Sequence, residues 1–296
     1  MLPWPTDASD AVETAEAAAE SLALWPYPVL IAGAAVLVFG RRTSAAVQTV
    51  LLPACVIAIA AALWQLALGL SDDPDTPSPG QTLSTLGGLM QEGQIWRDSA
   101  ASLFRVTWGF FLAAAVGIPL GLVMGWSLYA FRALNPLVQA LRPISPIAWI
   151  PFAILYFGIG DGAGIALIFY SSFFPITVGT TAAVMNISLV HQRSARNFGL
   201  RGLELFRRVV LPAALPQIIT SLRLALGVAW LVLVAAEMVG MDSGLGYLIM
   251  DARNMGKRFD LIAATIVVIG AIGIVLDLLI RRLERFDEVR WGYVKS

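Results

Sequence analysis

One histidine and one cysteine bound what this sequence can catalyse. His191 falls in a polar loop and Cys55 inside an apolar run, so no His-based metal site, nucleophile–His pair or intrachain disulfide can be assembled from them. No Gly-x-x-x-x-Gly-Lys followed by Ser or Thr occurs anywhere, which removes the usual nucleotide loop. The stretch GIGDGAG from Gly158 to Gly164 lacks both that Lys-Ser or Lys-Thr and a preceding strand, and reads as a tight turn. What remains is a small set of charges inside apolar runs. Arg105 and Glu237 stand there although a charge at mid-bilayer costs about 2.5–3.5 kcal/mol on insertion scales. Both are expected near the outer ends of their helices, either snorkelling or paired structurally, or else serving the solute pathway or a binding-protein contact. Asp277 has Arg281 one turn on, a pairable spacing.

The longest polar segment, Met185 to Thr220, is the other place where residue types converge. From Leu200 to Val210, Leu203, Phe206 and Val210 share one predicted helical face, with Arg201, Glu204 and Arg208 opposite. Gly199 and Gly202 break the helix at its start, and Leu211-Pro212 is expected to end it. A short amphipathic helix between a glycine hinge and a proline stop suits docking into another protein's groove. It equally suits a basic helix lying on the membrane surface.

The elements that must position these residues follow from composition. Of 296 residues, 58% are apolar and 14% charged, against roughly 25% charged in a soluble domain. The mean hydropathy is +0.76, and the charges crowd between long uncharged runs, so the chain is a polytopic membrane protein. The formal net charge of zero excludes a nucleic-acid surface. Runs near the ~20 residues that a bilayer core requires are Leu22–Gly40, Val47–Leu70, Leu103–Trp126, Leu137–Phe157, Ala163–Val184, Leu222–Gly240 and Leu261–Ile280. Pro26 and Pro28 interrupt the first, which spans or lies at the interface. Pro143, Pro146 and Pro151 break the fourth, which is then either buried among helices or lines a pathway. Ser71–Gly80 reads as an extended linker and Gln81–Ser102 as an outer interfacial helix. Arg41, Arg42, Arg193, Arg196, Arg201, Arg207, Arg208, Arg281 and Arg282 then fall on one side, which orients the chain with its N-terminus outside and C-terminus cytoplasmic.

Gly199 and, from Leu203, LELFRRVVLPAALP through Pro216 resemble the EAA loop of ATP-binding-cassette importer permeases, with Gly199, Val209, Leu211 and Pro212 at matching positions. Thr76-Pro77-Ser78-Pro79, Ser102-Leu103-Phe104-Arg105, Gly117-Ile118-Pro119-Leu120-Gly121, Ala235-Ala236-Glu237-Met238 and Gly244-Leu245-Gly246 are similar to the nitrate, sulfonate, taurine and bicarbonate group of that family. The likeness runs from about Val47 to Ile280. Arg193 and Ser194 depart from it, standing where the loop carries Glu and its first Ala, with Ala195 on the second. The span Leu22–Gly40 lies outside the family's common core.

The resemblance implies an all-α membrane protein of the type I importer fold, with about six to seven transmembrane helices and a cytoplasmic coupling helix. It implies an N-terminal segment 1–46, a permease domain 47–280 and a tail 281–296. It places ATPase coupling on Gly199, Leu200, Leu203, Phe206, Arg207, Leu211 and Pro212. Implied partners are ABC ATPase subunits that hold the ATP and Mg, an extracytoplasmic solute-binding protein, a second permease copy and membrane lipid, in a bacterial inner membrane. The chain itself would hold no cofactor and catalyse no reaction. A secondary transporter is the rival reading, and it needs repeated halves and mid-membrane ionisable residues.

Overall fold

In the computed structural model, residues 45–70, 76–256 and 258–283 are described, with Pro26, Val29, Leu30 and Gly33 before them. Apart from those four residues the expected span Leu22–Gly40 lies outside the described residues, as does the tail after Leu283. One compact unit comprises Met1–Gly87 with Phe259–Ala263 and another Gly88–Arg258 with Ala264–Ser296. The described residues form helices and no strands: α1 Ala45–Leu70, α2 Pro79–Gln91, α3 Gln94–Trp126, α4 Leu128–Leu141, α5 Ile150–Phe157, α6 Asp161–Met185, α7 Leu189–Asn197, α8 Gly202–Leu205, α9 Leu211–Gly240, α10 Leu245–Asn254 and α11 Phe259–Leu283.

Among the described residues four helices are long and apolar enough to cross a membrane, or five if the bent pair Leu128–Leu141 and Pro146–Phe157 is one span. The apolar stretch Leu52–Leu68 of α1 is shorter. This count covers the described residues, whereas the expected six to seven spans include Leu22–Gly40. Two expected boundaries also shift. The interfacial helix Gln81–Ser102 is split at Gly93, whose φ of 75° ends α2, and everything from Gln94 onward belongs to the 33-residue α3. At 1.5 Å per residue α3 is about 50 Å long, so it projects beyond a ~30 Å core. The fourth span begins at Leu128 rather than Leu137 and bends by 82° through a 3-10 turn at Pro146–Trp149. The prolines remove donors that would continue the helix, and the Leu141 carbonyl accepts from Ile144 N at 3.2 Å and from Tyr170 Oη at 3.0 Å.

The start of α2 is fixed by a reciprocal cap. Gln81 N donates to Ser78 Oγ at 3.2 Å, and Ser78 N to Gln81 Oε1 at 2.9 Å. In the same unit Thr85 Oγ1 donates to Asp260 Oδ2 at 2.9 Å.

In the second unit α6 packs along the length of α3. Between helices in lipid there is no hydrophobic gain to collect, so contact must come from close approach and hydrogen bonds. Gly109, Ala113, Gly117, Gly121 and Gly125 supply the approach at a four-residue spacing. A Cβ at Gly109 would stand 2.6 Å from Ile168 Cβ, and one at Gly121 2.6 Å from Thr180 Cβ. Thr177 and Thr181 on α6 donate to carbonyls one turn back, Phe173 O and Thr177 O, both at 2.8 Å, whereas the buried Ser172 Oγ and Thr180 Oγ1 make no hydrogen bond. Helix α9 lies against α6 from the other side, with Gly179 facing Ser221. Val106, Ile168, Ala229, Leu233 and Leu245 close the core where α3, α6, α9 and α10 meet.

Candidate functional site

The polar hairpin between α6 and α9 differs in shape from the sequence expectation. Its separate helix is α7, Leu189–Asn197, which precedes Gly199, and it carries His191, expected in a loop. Ser188 caps α7, accepting from Val190 N at 3.3 Å. The C-terminal end closes as a Schellman turn: Gly199 N donates to Arg196 O at 3.0 Å and Leu200 N to Ala195 O at 3.1 Å. Gly199 has a φ of 88°, and a Cβ there would meet nothing within 4 Å. Its requirement is conformational, not steric.

The segment after Gly199 does not end at Leu211-Pro212. Helix α8 opens into a π turn over Phe206–Val210, where Leu211 N donates to Phe206 O, and continues into α9. Gly202–Gly240 is one helical run of 39 residues. The wider turn gives the Pro212 ring the room that an α-helical carbonyl would deny it. It also changes the buried face. Leu205, at 2% exposure, and Val210 lie inward, five residues apart as one π turn stacks them, whereas Leu203 is 70% exposed. Phe206 is half-buried with its ring edge to Trp126 at 5.3 Å.

These residues sit together at one end of the bundle. Arg193, Arg196 and Arg207 are exposed, no acidic residue lies on α7, and Phe198 is 87% exposed. An open cavity of about 470 Å³ beneath α7 is lined by Trp126, Arg196, Asn197, Arg201, Gly202 and Leu205. Sequence reasoning missed α7, although Ser188 and Gly199 bracket it with a start and a stop signal.

At the opposite end of α9 the two charges read from the sequence meet. Arg105 and Glu237 are each 1% exposed within the single chain. Arg105 Nη1 donates to Glu237 Oε1 at 2.8 Å and to the Ser243 carbonyl at 2.7 Å. Its Nε donates to Asp161 Oδ1 at 2.7 Å and its Nη2 to Ser243 Oγ at 2.6 Å. Glu237 also accepts from Ser102 Oγ at 2.8 Å and Gly246 N at 3.0 Å. Gly244 N donates to Asp98 Oδ1 at 3.2 Å and Leu245 N to Ser102 Oγ at 3.0 Å, so these N–H groups at the opening of α10, like that of Gly246, face acceptors. This is a polar lock joining α3, α6, α9 and α10. Within the chain Arg105 and Glu237 are a buried structural ion pair, while the Asp161 side chain that also accepts from Arg105 is 56% exposed. Asp161, in the glycine-rich turn, and Asp98 complete the lock, and neither was marked by the sequence.

Comparison with known proteins fits this arrangement. Residues 113–286 match the family described as binding-protein-dependent transport system inner membrane component. The chain belongs to that family. The permease is 39% identical over 194 residues to the nitrate import permease of Leptolyngbya laminosa, covering 66% of this chain and 69% of the relative. It is 36% identical over 215 residues to the taurine transport system permease of Escherichia coli K12, covering 71% and 78%. An inward-facing structure of the MetNI methionine ABC transporter shares its fold, with a TM-score of 0.58 and 20% identity over 66% of this chain and 96% of that one. The permease is thus a multi-pass inner-membrane component of an ABC importer, and the type I fold expected from the sequence is present.

Proposed function

We propose that the permease forms the pathway for a small oxyanion of the nitrate, sulfonate, taurine or bicarbonate class, delivered by an extracytoplasmic binding protein and driven by ATPase chains that dock on α7. ATP and Mg bind in those chains, and the permease works as a pair of copies with its C-terminus on the ATPase side. The observation that carries this reading is mechanical. Helix α7 rests on the π turn, with Ala195 buried, and presents Arg193, Arg196 and Phe198 to solvent, and a Schellman turn fixes it to Leu200. From Gly202 a single 39-residue run reaches Gly240, a rod of about 58 Å. A displacement of the docking end is therefore delivered to Glu237 and the lock. Basic side chains flanking an exposed aromatic fit an apolar pocket rimmed by carboxylates.

The test is co-purification with the cognate ATPase together with uptake of labelled nitrate and taurine into vesicles. Wild type should retain the ATPase and accumulate one of the anions only when ATP is supplied. Uptake that persists without ATP, in a preparation lacking the ATPase, would overturn the reading.

A further inference from the structure

The π turn between α8 and α9 leaves two leucines competing for one buried face. Leu205 is 2% exposed and Leu203 70% exposed, because the extra residue of the turn stacks Leu205 over Val210. An α-helical period through the same residues puts Leu203 and Phe206 on the face of Val210 instead. If the π turn closes into α-helix while α9 stays fixed, every residue ahead of it moves into the place now held by its predecessor. Phe206 then takes the seat of Leu205, Leu205 takes the exposed place of Glu204, and Leu203 takes the place of Gly202.

The surroundings accommodate that second register. Gly202 lines the open cavity of about 470 Å³ beside Leu205 and Trp126, and a Cβ there meets nothing within 4 Å, so the cavity has space for the Leu203 side chain. Phe206 already lies edge-on to Trp126 and need only turn along it. Gly199 and Gly202, with φ of 88° and 53°, frame the link to α7 and can turn to either hand at little cost. Pro212 opposes the change, because an α-helical turn brings its ring against the Arg208 carbonyl four residues back. The π register is therefore the resting one.

We propose that Gly202–Val210 is a two-register switch, held in the π register by Pro212 and driven into the α register by displacement of α7. One register step moves the start of α8 by about 1.5 Å and turns it by about 100°, exchanging Leu205 for Phe206 against Trp126 at the end of α3. The drive from α7 rests on the proposed docking of the ATPase, whereas the two registers do not.

Single cysteines in a Cys55→Ser background, followed by their rate of reaction with a maleimide, test both parts. In the purified chain Leu205→Cys should react at least about tenfold more slowly than Glu204→Cys, which is exposed in either register. Adding Pro212→Ala removes the block and should raise the Leu205→Cys rate about tenfold or more. Val210→Cys, buried in both registers, should stay protected. In the complex with the ATPase, ATP turnover should expose Leu205→Cys relative to the resting complex with Pro212 in place. Continued protection of Leu205→Cys in Pro212→Ala would overturn the two registers. Exposure of Val210→Cys along with it would overturn them too, since the segment would then be melting rather than turning. Exposure in Pro212→Ala but none during ATP turnover would overturn the drive from α7. An ATPase that never co-purifies would refute the proposed function, and the measurements on the chain alone would still decide the switch.

Discussion

At Arg105 the chain spends its most expensive residue on position rather than on exchange with solvent. The guanidinium is matched by Glu237, Asp161 and Ser243, so removing it leaves Glu237 buried with its charge uncompensated. Loss of one partner of such a pair costs about 3–5 kcal/mol. Arg105→Ala is therefore expected to lower the unfolding midpoint in detergent sharply. Glu237→Gln, which still accepts from Gly246 N and Ser102, should lose less than Glu237→Ala. A similar midpoint for the two Glu237 variants would mean that charge alone holds the lock. Gly199 shows the contrasting case of a residue that matters without touching anything. Its positive φ penalises Gly199→Leu by about 1–2 kcal/mol and Gly199→Asn less. Insertion should survive in both, with ATPase retention falling further for Leu, as pull-down will show.

Among the elements, the α3–α6 pair sets the tolerance of the bundle. Gly121→Leu would drive a side chain into Thr180 and the Thr177 carbonyl, and the expected result is loss of folded protein by size-exclusion chromatography. Gly87→Leu, at a site with nothing within 4 Å, should run as wild type. Hydropathy and proline placement made the spans and the broken fourth helix legible, because those signals depend on composition over a long window. The four-residue line of small residues was readable too, but only its Gly117–Gly121 portion was noticed, as a family likeness rather than as packing. The π turn was not legible. An α-helical period assigns Leu203 to the buried face, and only a turn with one extra residue brings Leu205 and Val210 into line. The partners of Arg105 were equally hidden, since Asp161 lies 56 positions away in sequence and meets it through the α3–α6 packing.

For the molecule as a whole, charge on α7 should govern assembly. Arg193→Glu combined with Arg196→Glu is expected to reduce ATPase co-purification about tenfold, and the wild-type complex should weaken as ionic strength rises past ~0.15 M. Retention that ignores both changes would leave α7 on the lipid surface. The 82° bend in Leu128–Phe157 sets the parity of the chain. Two crossings, α9 and α11, separate α7 from Arg282, so cysteines placed at Arg193 and Arg282 in a Cys55→Ser background must react with an impermeant reagent from the same side, whatever the bend does. A cysteine at Gly88 is separated from α7 by α3, the bent pair and α6. It reacts from the opposite side only if the bent pair traverses the bilayer once, and from the same side if that pair turns back. One labelling comparison therefore counts the crossings.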